Sequence, residues 1–249
     1  MEISKEKRPV VVIPSNPTKS EVFIAKELIK YIKNIIGTEL ELCADEKEIS
    51  GERIIIGSPK RNNLAKNVIT QEEFESYVTG SEGFLIKTFG EDVLLLAGKD
   101  GDRERGTIYA VYEFLERFAG CSLSAYSHPD VEAGEYVPKK DKIAAENICY
   151  AKKSADRPYR MACIQYGSFA GEPDHGLNIS FFDWLAKNRY NCIYTWMSVY
   201  QKLKKAGLVD AAQERGLDFM VGHHDVTDFF LPPEGNDTFK GRRACAQGS

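Results

Sequence analysis

The chain has 249 residues, 43% of them hydrophobic and 28% charged. That balance is ordinary for a globular protein and allows one large domain or two of moderate size, each with a real core. A net charge of −4 with a pI near 5.7 excludes the basic face that nucleic acid requires; no polybasic block offers a membrane anchor, and no apolar run is long enough to span a bilayer.

The N-terminus, MEISKEKRPVVVIPS, is charged and lacks an apolar signal core. Cytoplasmic residence is therefore the expectation, or a secreted or periplasmic one if a signal has been removed. Residues 10–14 read as a buried strand. In TKSEVFIAKELIKYIKNIIG, Thr18 and Glu21 have the spacing of a capping box. Val22, Ala25, Leu28, Ile29, Ile32, Ile35 and Ile36 repeat at helical period, and Gly37 supplies a left-handed stop. ELELC (39–43) and RIIIGS (53–58) read as strands, followed by a polar stretch expected to be helical. GFLIKTFGEDVLLLAGKD predicts a hairpin turning at Gly90-Glu91-Asp92. RGTIYAVYEFLERFAGC predicts a second helix with Ile108, Val111, Tyr112, Leu115 and Phe118 as its stripe and Gly120 as its end. Residues 122–157 lack periodicity and read as an extended connection with short strands.

From Arg160 the pattern changes. RMACIQY (160–166), NCIYTW (191–196) and LDFMVG (217–222) read as strands. A helix entered at Ser180 with Asp183, and another at AAQERG, fall between them. This spacing is that of parallel β–α–β units. The expected fold is thus an α+β unit, a mixed sheet with helices packed on one face, followed by an α/β segment.

Four motifs in order, AKELIKYIKNIIGTEL, RIIIGS, GFLIKTFGEDVLLLAGKD and RGTIYAVYEFLERFAGC with Pro138 beyond it, resemble the N-terminal domain of bacterial α-glucuronidase-like proteins. The same domain is the second domain of family-20 β-hexosaminidases. The resemblance covers residues 8–145. Residues 158–235, especially FFDWLAKNRYNCIYTW and ERGLDFMVGHHDVTDFFLP, resemble the opening of a glycoside-hydrolase (β/α)₈ barrel, nearest to uncharacterised bacterial proteins of this architecture. A full barrel takes about 250 residues, so the resemblance implies a truncated barrel and an unstructured tail at 236–249. It implies carbohydrate metabolism and a glycan substrate, with no hydrolase activity expected from the fragment. Exposed barrel edges would favour self-association and dye binding that vanish on cutting near residue 150. The alternative is a non-catalytic module that binds a carbohydrate or a partner; a minor third option is a small α/β enzyme with His223 or His224 as base.

Barrel active sites lie at the C-terminal ends of strands. Gln165, Trp196, His223, His224 and Asp225 follow or close the three expected strands and are the candidate sugar contacts, by stacking or hydroxyl hydrogen bonds. The bland alternative makes Trp196 core packing and His224 a satisfied surface or core residue. Adjacent His223 and His224 on a strand would point to opposite faces, and His128 and His175 stand in no motif, so no metal is expected. No cofactor is implied. Glycosidic hydrolysis needs two carboxylates at a fixed separation. Asp225 and Asp228 do not fit that pair, and Glu113 and Glu116 read as the solvated face of the second helix, so no catalytic residue is assigned. GKDGDRERG (98–106) lacks the GK[ST] of a P-loop; its glycines read as a turn, and Arg105-Gly106-Thr107 as close helix-to-sheet packing. The six cysteines form no C-x-x-C pair and read as buried free thiols.

Overall fold

The computed structural model describes all residues except 47–48, 100, 102, 104, 125–133, 164–177 and 223–249. The chain begins with β1 (Glu2–Ser4) and β2 (Val10–Ile13), then α1 (Lys19–Ile36). Thr18 Oγ1 accepts from Glu21 N (3.1 Å) while Glu21 Oε2 accepts from Thr18 N (2.7 Å), the reciprocal capping read from the sequence. Gly37 closes the helix at φ 77°, where a side chain would be strained.

Next come β3 (Leu42–Ala44), β4 (Arg53–Ile56), α2 (Asn63–Val68) and α3 (Gln71–Tyr77). β5 (Phe84–Phe89) and β6 (Val93–Gly98) form the expected antiparallel hairpin, from Phe84 opposite Gly98 to Phe89 opposite Val93. α4 (Arg105–Arg117), β7 (Lys142–Ala144) and β8 (Cys149–Lys152) complete the first unit. Its sheet runs β3-β2-β4-β6-β5-β8, parallel through β6 and antiparallel at β5 and β8, and β1 pairs with β7 beside it. Strands β1 and β8 extend this unit past the 8–145 span of the resemblance.

The two long helices share one face. Ile24, Leu28 and Ile32 of α1 and Ile108, Val111 and Leu115 of α4 pack with Ile54, Leu94 and Leu96. The shorter α2 and α3 cover the other face, where Ala65 and Phe74 meet Ile55, Leu85, Leu95 and Ala97. Alternate residues of β6 therefore enter different cores, which is why VLLLAG is a continuous apolar run. Each buried Leu or Ile contributes about 1.5–3 kcal/mol. Gly98 and Gly106 touch backbone to backbone: a Cβ on Gly98 would lie 2.0 Å from the Gly106 carbonyl carbon. Close packing at Arg105-Gly106-Thr107 thus holds as read.

The second unit contains β9 (Met161–Cys163), α5 (Ile179–Lys187), β10 (Cys192–Trp196), α6 (Met197–Lys205), α7 (Leu208–Glu214) and β11 (Asp218–Gly222). Its three strands are parallel, in order β11-β10-β9. Phe182, Leu185, Ile193, Val199, Leu203, Val209 and Leu217 form its core. Helix α5 packs on α4 and α7 on α1, so the helices of the two units form adjoining layers between the sheets. Ala186 belongs to the core of the first unit.

Several local expectations are corrected. Asn178, not Ser180, caps α5: its Oδ1 accepts from Phe181 N at 2.9 Å, and Asp183 instead accepts from Arg215 Nε at 2.5 Å. Helix α6 (Met197–Lys205) stands where the sequence predicts no element. Glu113 is buried at 6% exposure rather than solvated. Cys43, Cys121 and Cys192 are buried free thiols, but Cys149 and Cys163 are free and exposed; Cys245 and the 236–249 tail lie outside the described residues. Among the described residues no helix is long and apolar enough to cross a membrane.

Candidate functional site

The candidate site is the C-terminal end of the three parallel strands. Register aligns Tyr194 with Cys163 and Met220, and Trp196 with Gly222. Residues at one level of the pleat share a face, so Tyr194, Cys163 and Met220 stand together, opposite Ile193, Ala162 and Phe219, which pack on the helices. Met161 and Met220, both on the Tyr194 face, are 40% and 39% exposed.

Trp196 ends β10 and is the N-cap residue of α6; it is half-buried and packs against the second core. Gln165, His223, His224 and Asp225 lie outside the described residues. In sequence, Gln165 is two residues past the end of β9, and His223 directly follows β11. Tyr194 was missed. Its hydroxyl fills the space beside Gly222, where a Cβ would be 2.1 Å away. The phenol leans along the sheet towards the strand ends and presents a polar tip there. The signal was available: Tyr194 has the pleat parity of Trp196, two residues on.

The most charged constellation is at the opposite end of the strands. Glu82 Oε2 accepts from Arg160 Nη2 (2.6 Å) and Oε1 from Asn191 Nδ2 (2.7 Å). Arg105 Nε donates to Gly216 O (2.6 Å), and its Nη2 pairs with Asp218, which also accepts from Arg103 Nε at 3.0 Å. Arg160 Nη2 also donates to Tyr109 Oη (3.2 Å), whose hydroxyl is pushed up to about 12 by burial and by Glu82, against the opposing pull of Arg160 and Arg105. Beside this cluster, Arg189 Nη2 lies 3.1 Å from Glu113 and 3.4 Å from Glu116. Burial pushes the Glu113 carboxyl up, but hydrogen bonds from Tyr150 and Arg189 outweigh it and hold its pKa below the usual carboxylate value. Burial, with Glu113 nearby, raises that of Glu116 against the pull of Arg189.

Two carboxylates with pKa values pushed apart are what acid–base catalysis needs. Here they sit three residues apart on α4, against the base of the second unit, and Glu113 is also held by Arg117 at 3.2 Å and Lys152 at 3.7 Å. The cluster lies at the N-terminal ends of the strands, and its carboxylates are taken up by neighbouring cations.

The first sheet has a second position of the kind that binds ligands. Strand order reverses between β2 and β4, and open α/β sheets bind ligands in the crevice at such a point. The crevice is filled from within. Asn62 Nδ2 donates to Ile56 O (3.1 Å) and Val12 O (3.4 Å). Asp45 accepts from Ser15 N (2.7 Å) and Asn63 N (2.6 Å), and Arg61 pairs in a fork with buried Glu21, both contacts 2.8 Å. Among the described residues no group of three or more His, Cys, Asp or Glu side chains is placed to hold a metal ion.

A helix-flanked mixed sheet leads directly into consecutive parallel β–α units, with the candidate rim at their C-terminal ends: the class is an α+β domain joined to α/β units. More particularly, residues 2–114 match the family model described as the glycosyl hydrolase family 67 N-terminus. Among solved structures the chain is similar to a family GH115 4-O-methyl-α-glucuronidase with specificity for decorated arabinogalactans. The identity is 15% and the TM-score 0.64, over 90% of this chain and 30% of that one. It also matches a GH138 enzyme targeting pectin rhamnogalacturonan II, at 15% identity and TM-score 0.48, over 84% of this chain and 24% of that one. The GH20 exo-β-N-acetylglucosaminidase from Vibrio harveyi matches at 10% identity and TM-score 0.46, over 89% and 33%. The GH115 likeness shows the shared fold, and its 90% coverage takes in both units; the chain spans about 30% of that relative's length. No curated protein matches the chain.

Proposed function

We propose that this chain is the N-terminal portion of a glycoside-hydrolase-like protein of carbohydrate metabolism, with β9–β11 as the first strands of a (β/α)₈ barrel. The observation that carries the reading is continuity: a family 67-type N-terminal domain runs into three parallel strands in sequential order. The family 67 match and the α-glucuronidase neighbour support a glycan bearing uronic acid as substrate. Trp196 and the strand-following Gln165, His223, His224 and Asp225 are the proposed sugar contacts, joined by the Tyr194 hydroxyl at Gly222.

The three parallel strands among the described residues are fewer than the eight of a closed ring, and the carboxylates of Glu113 and Glu116 are engaged at the opposite end of the strands from the candidate rim. The 249-residue chain alone is therefore proposed to be inactive, with apolar Met161 and Met220 on the open pleat face favouring self-association. The test is incubation of the pure chain with aryl glycosides, aryl glucuronides and glucuronoxylan. No turnover is expected; turnover that co-purifies with the chain would overturn the reading.

A further inference from the structure

Parallel strands are joined by long crossovers, so no tight turn sets their register, and a one-residue slip would put every side chain on the wrong face. In this chain the starts of all three strands meet side chains of the preceding unit. Asn191, just before β10, donates its N–H to Arg160 O (3.1 Å) and accepts at Oδ1 from Arg160 N (2.9 Å), and Asp218 N donates to Asn191 O (2.9 Å). This rung continues the ladder one residue below the sheet. Glu82 grips it from outside, one oxygen on Arg160 and the other on Asn191, so it joins the starts of β9 and β10. Arg105, the first residue of α4, reaches Gly216 O, Asn191 O (3.5 Å) and Asp218, joining the starts of β10 and β11.

The gripping groups are themselves fixed. Glu82 is 6% exposed, and its N–H donates to Ser154 Oγ at 2.6 Å, while Ser154 N donates to Thr79 O at 3.0 Å. Arg105 opens a helix pressed glycine to glycine on β6. The grip is therefore made by rigid parts of the first unit, and each of its two central residues spans two strands.

We infer that the N-terminal unit has a function beyond any ligand contact: it is an intramolecular template that sets the register of β9, β10 and β11 through Glu82 and Arg105. Each contact joins two neighbouring strand starts, so the template supplies the pairing constraint that the long crossovers do not.

The test uses the full chain with two variants, Glu82→Gln, which keeps shape and loses charge, and Arg105→Met. Arg117→Met, at the exposed far end of α4, is the comparison. Peptide-resolved hydrogen exchange is followed over residues 161–163, 192–196 and 218–222 and over β2, β4 and β6. Alkylation of Cys192, buried at the start of β10, is followed against Cys43 and Cys121, buried in the first unit. Loss of charge-assisted hydrogen bonds predicts exchange roughly ten-fold faster in the three strands, with Cys192 exposed in parallel. The first sheet, Cys43 and Cys121 should be unchanged, and Arg117→Met silent. Unaltered protection of the three strands would overturn the template, as would an even loss through both units, including unfolding of the whole chain.

Discussion

Lys187 is a cation at 5% exposure where α5 meets the first unit. Its Nζ is 2.6 Å from Glu135 Oε1 and 3.9 Å from Glu27 Oε2, and it lies 5.3 Å from the Tyr31 ring centroid and 6.0 Å from that of Tyr112. Glu27 Oε2 is buried and has no hydrogen-bond partner of its own. Lys187→Met keeps most of the volume and removes the charge, which leaves Glu135 without its cation and Glu27 Oε2 without a counter-charge. Breaking a buried pair by removing one partner costs about 3–5 kcal/mol, because the remaining charge is uncompensated. Lys30 offers the contrast: it bonds Glu27 Oε1 at 2.9 Å, but its side chain is 55% exposed, and such a pair contributes about 0–1 kcal/mol.

Urea unfolding followed by far-UV circular dichroism and by tryptophan fluorescence should separate the two. Trp184 and Trp196 are the chain's two tryptophans and both report on the second unit. Lys187→Met should lower stability by about 3 kcal/mol or more in both signals, and adding Glu135→Gln should recover part of the loss. A Lys187→Met cost no larger than that of Lys30→Met, or a double variant worse than the single by the full cost of a second buried charge, would refute the reasoning.

Gly98→Ala should be among the most damaging small substitutions, since its Cβ would enter the α4 backbone; thermal unfolding should report a loss of about 1–3 kcal/mol or more. Gly90→Ala, with open space but φ +60°, should cost only about 1 kcal/mol. Acid titration of stability should show two opposed contributions. Glu116, raised above the ordinary 4.5, destabilises the fold at neutral pH, and that cost is relieved as pH falls towards 4.5. Glu113, lowered, contributes stability that is in full above 4.5 and is lost as pH falls through its folded value. Glu113→Gln should remove the second phase and shrink the first, since the Glu113 charge is one of the causes that raise Glu116, as measured by urea midpoints across the acid range.

Local chemistry made the first unit legible. The Thr18–Glu21 box, the Gly37 stop and the hairpin at residues 90–92 each depend on neighbours within a few positions, and each stands where the residues put it. The parallel strands were legible for the same reason, as apolar runs at crossover spacing. The failures are tertiary. Glu113 is one charge on a helix whose opposite side carries the apolar stripe, so periodicity places it in solvent; its partners, Tyr150 and Arg189, arrive only 37 and 76 positions later. Ser180 has good capping chemistry, but the helix begins two residues earlier, with Asn178 Oδ1 accepting from Phe181 N, so Ser180 falls inside the first turn. At the candidate rim, Trp196 could be placed at a strand end from sequence, whereas the reach of Tyr194 over Gly222 depends on strand register.

That dependence changes what a boundary near residue 150 means. Composition places the division in the connection before Arg160, and on that ground a cut there leaves a covered first unit free of dye binding. Yet the outer side of α1 and α4 is a surface already occupied: Phe23 lies under the Arg215 guanidinium at 4.5 Å, Tyr109 under that of Arg189 at 5.3 Å, and Ala186 sits in the first core. Removal of residues 158–249 would uncover these rings and strip Glu82, at 6% exposure, of Arg160 and Asn191. The shortened chain should bind hydrophobic dye and unfold at lower urea than the first unit does within the whole chain. A dye-silent 1–157 chain with undiminished stability would mean that the two units merely touch. The physical unit would then be the sheet and its own helices, whereas the packing described here makes it the sheet together with the second helical layer.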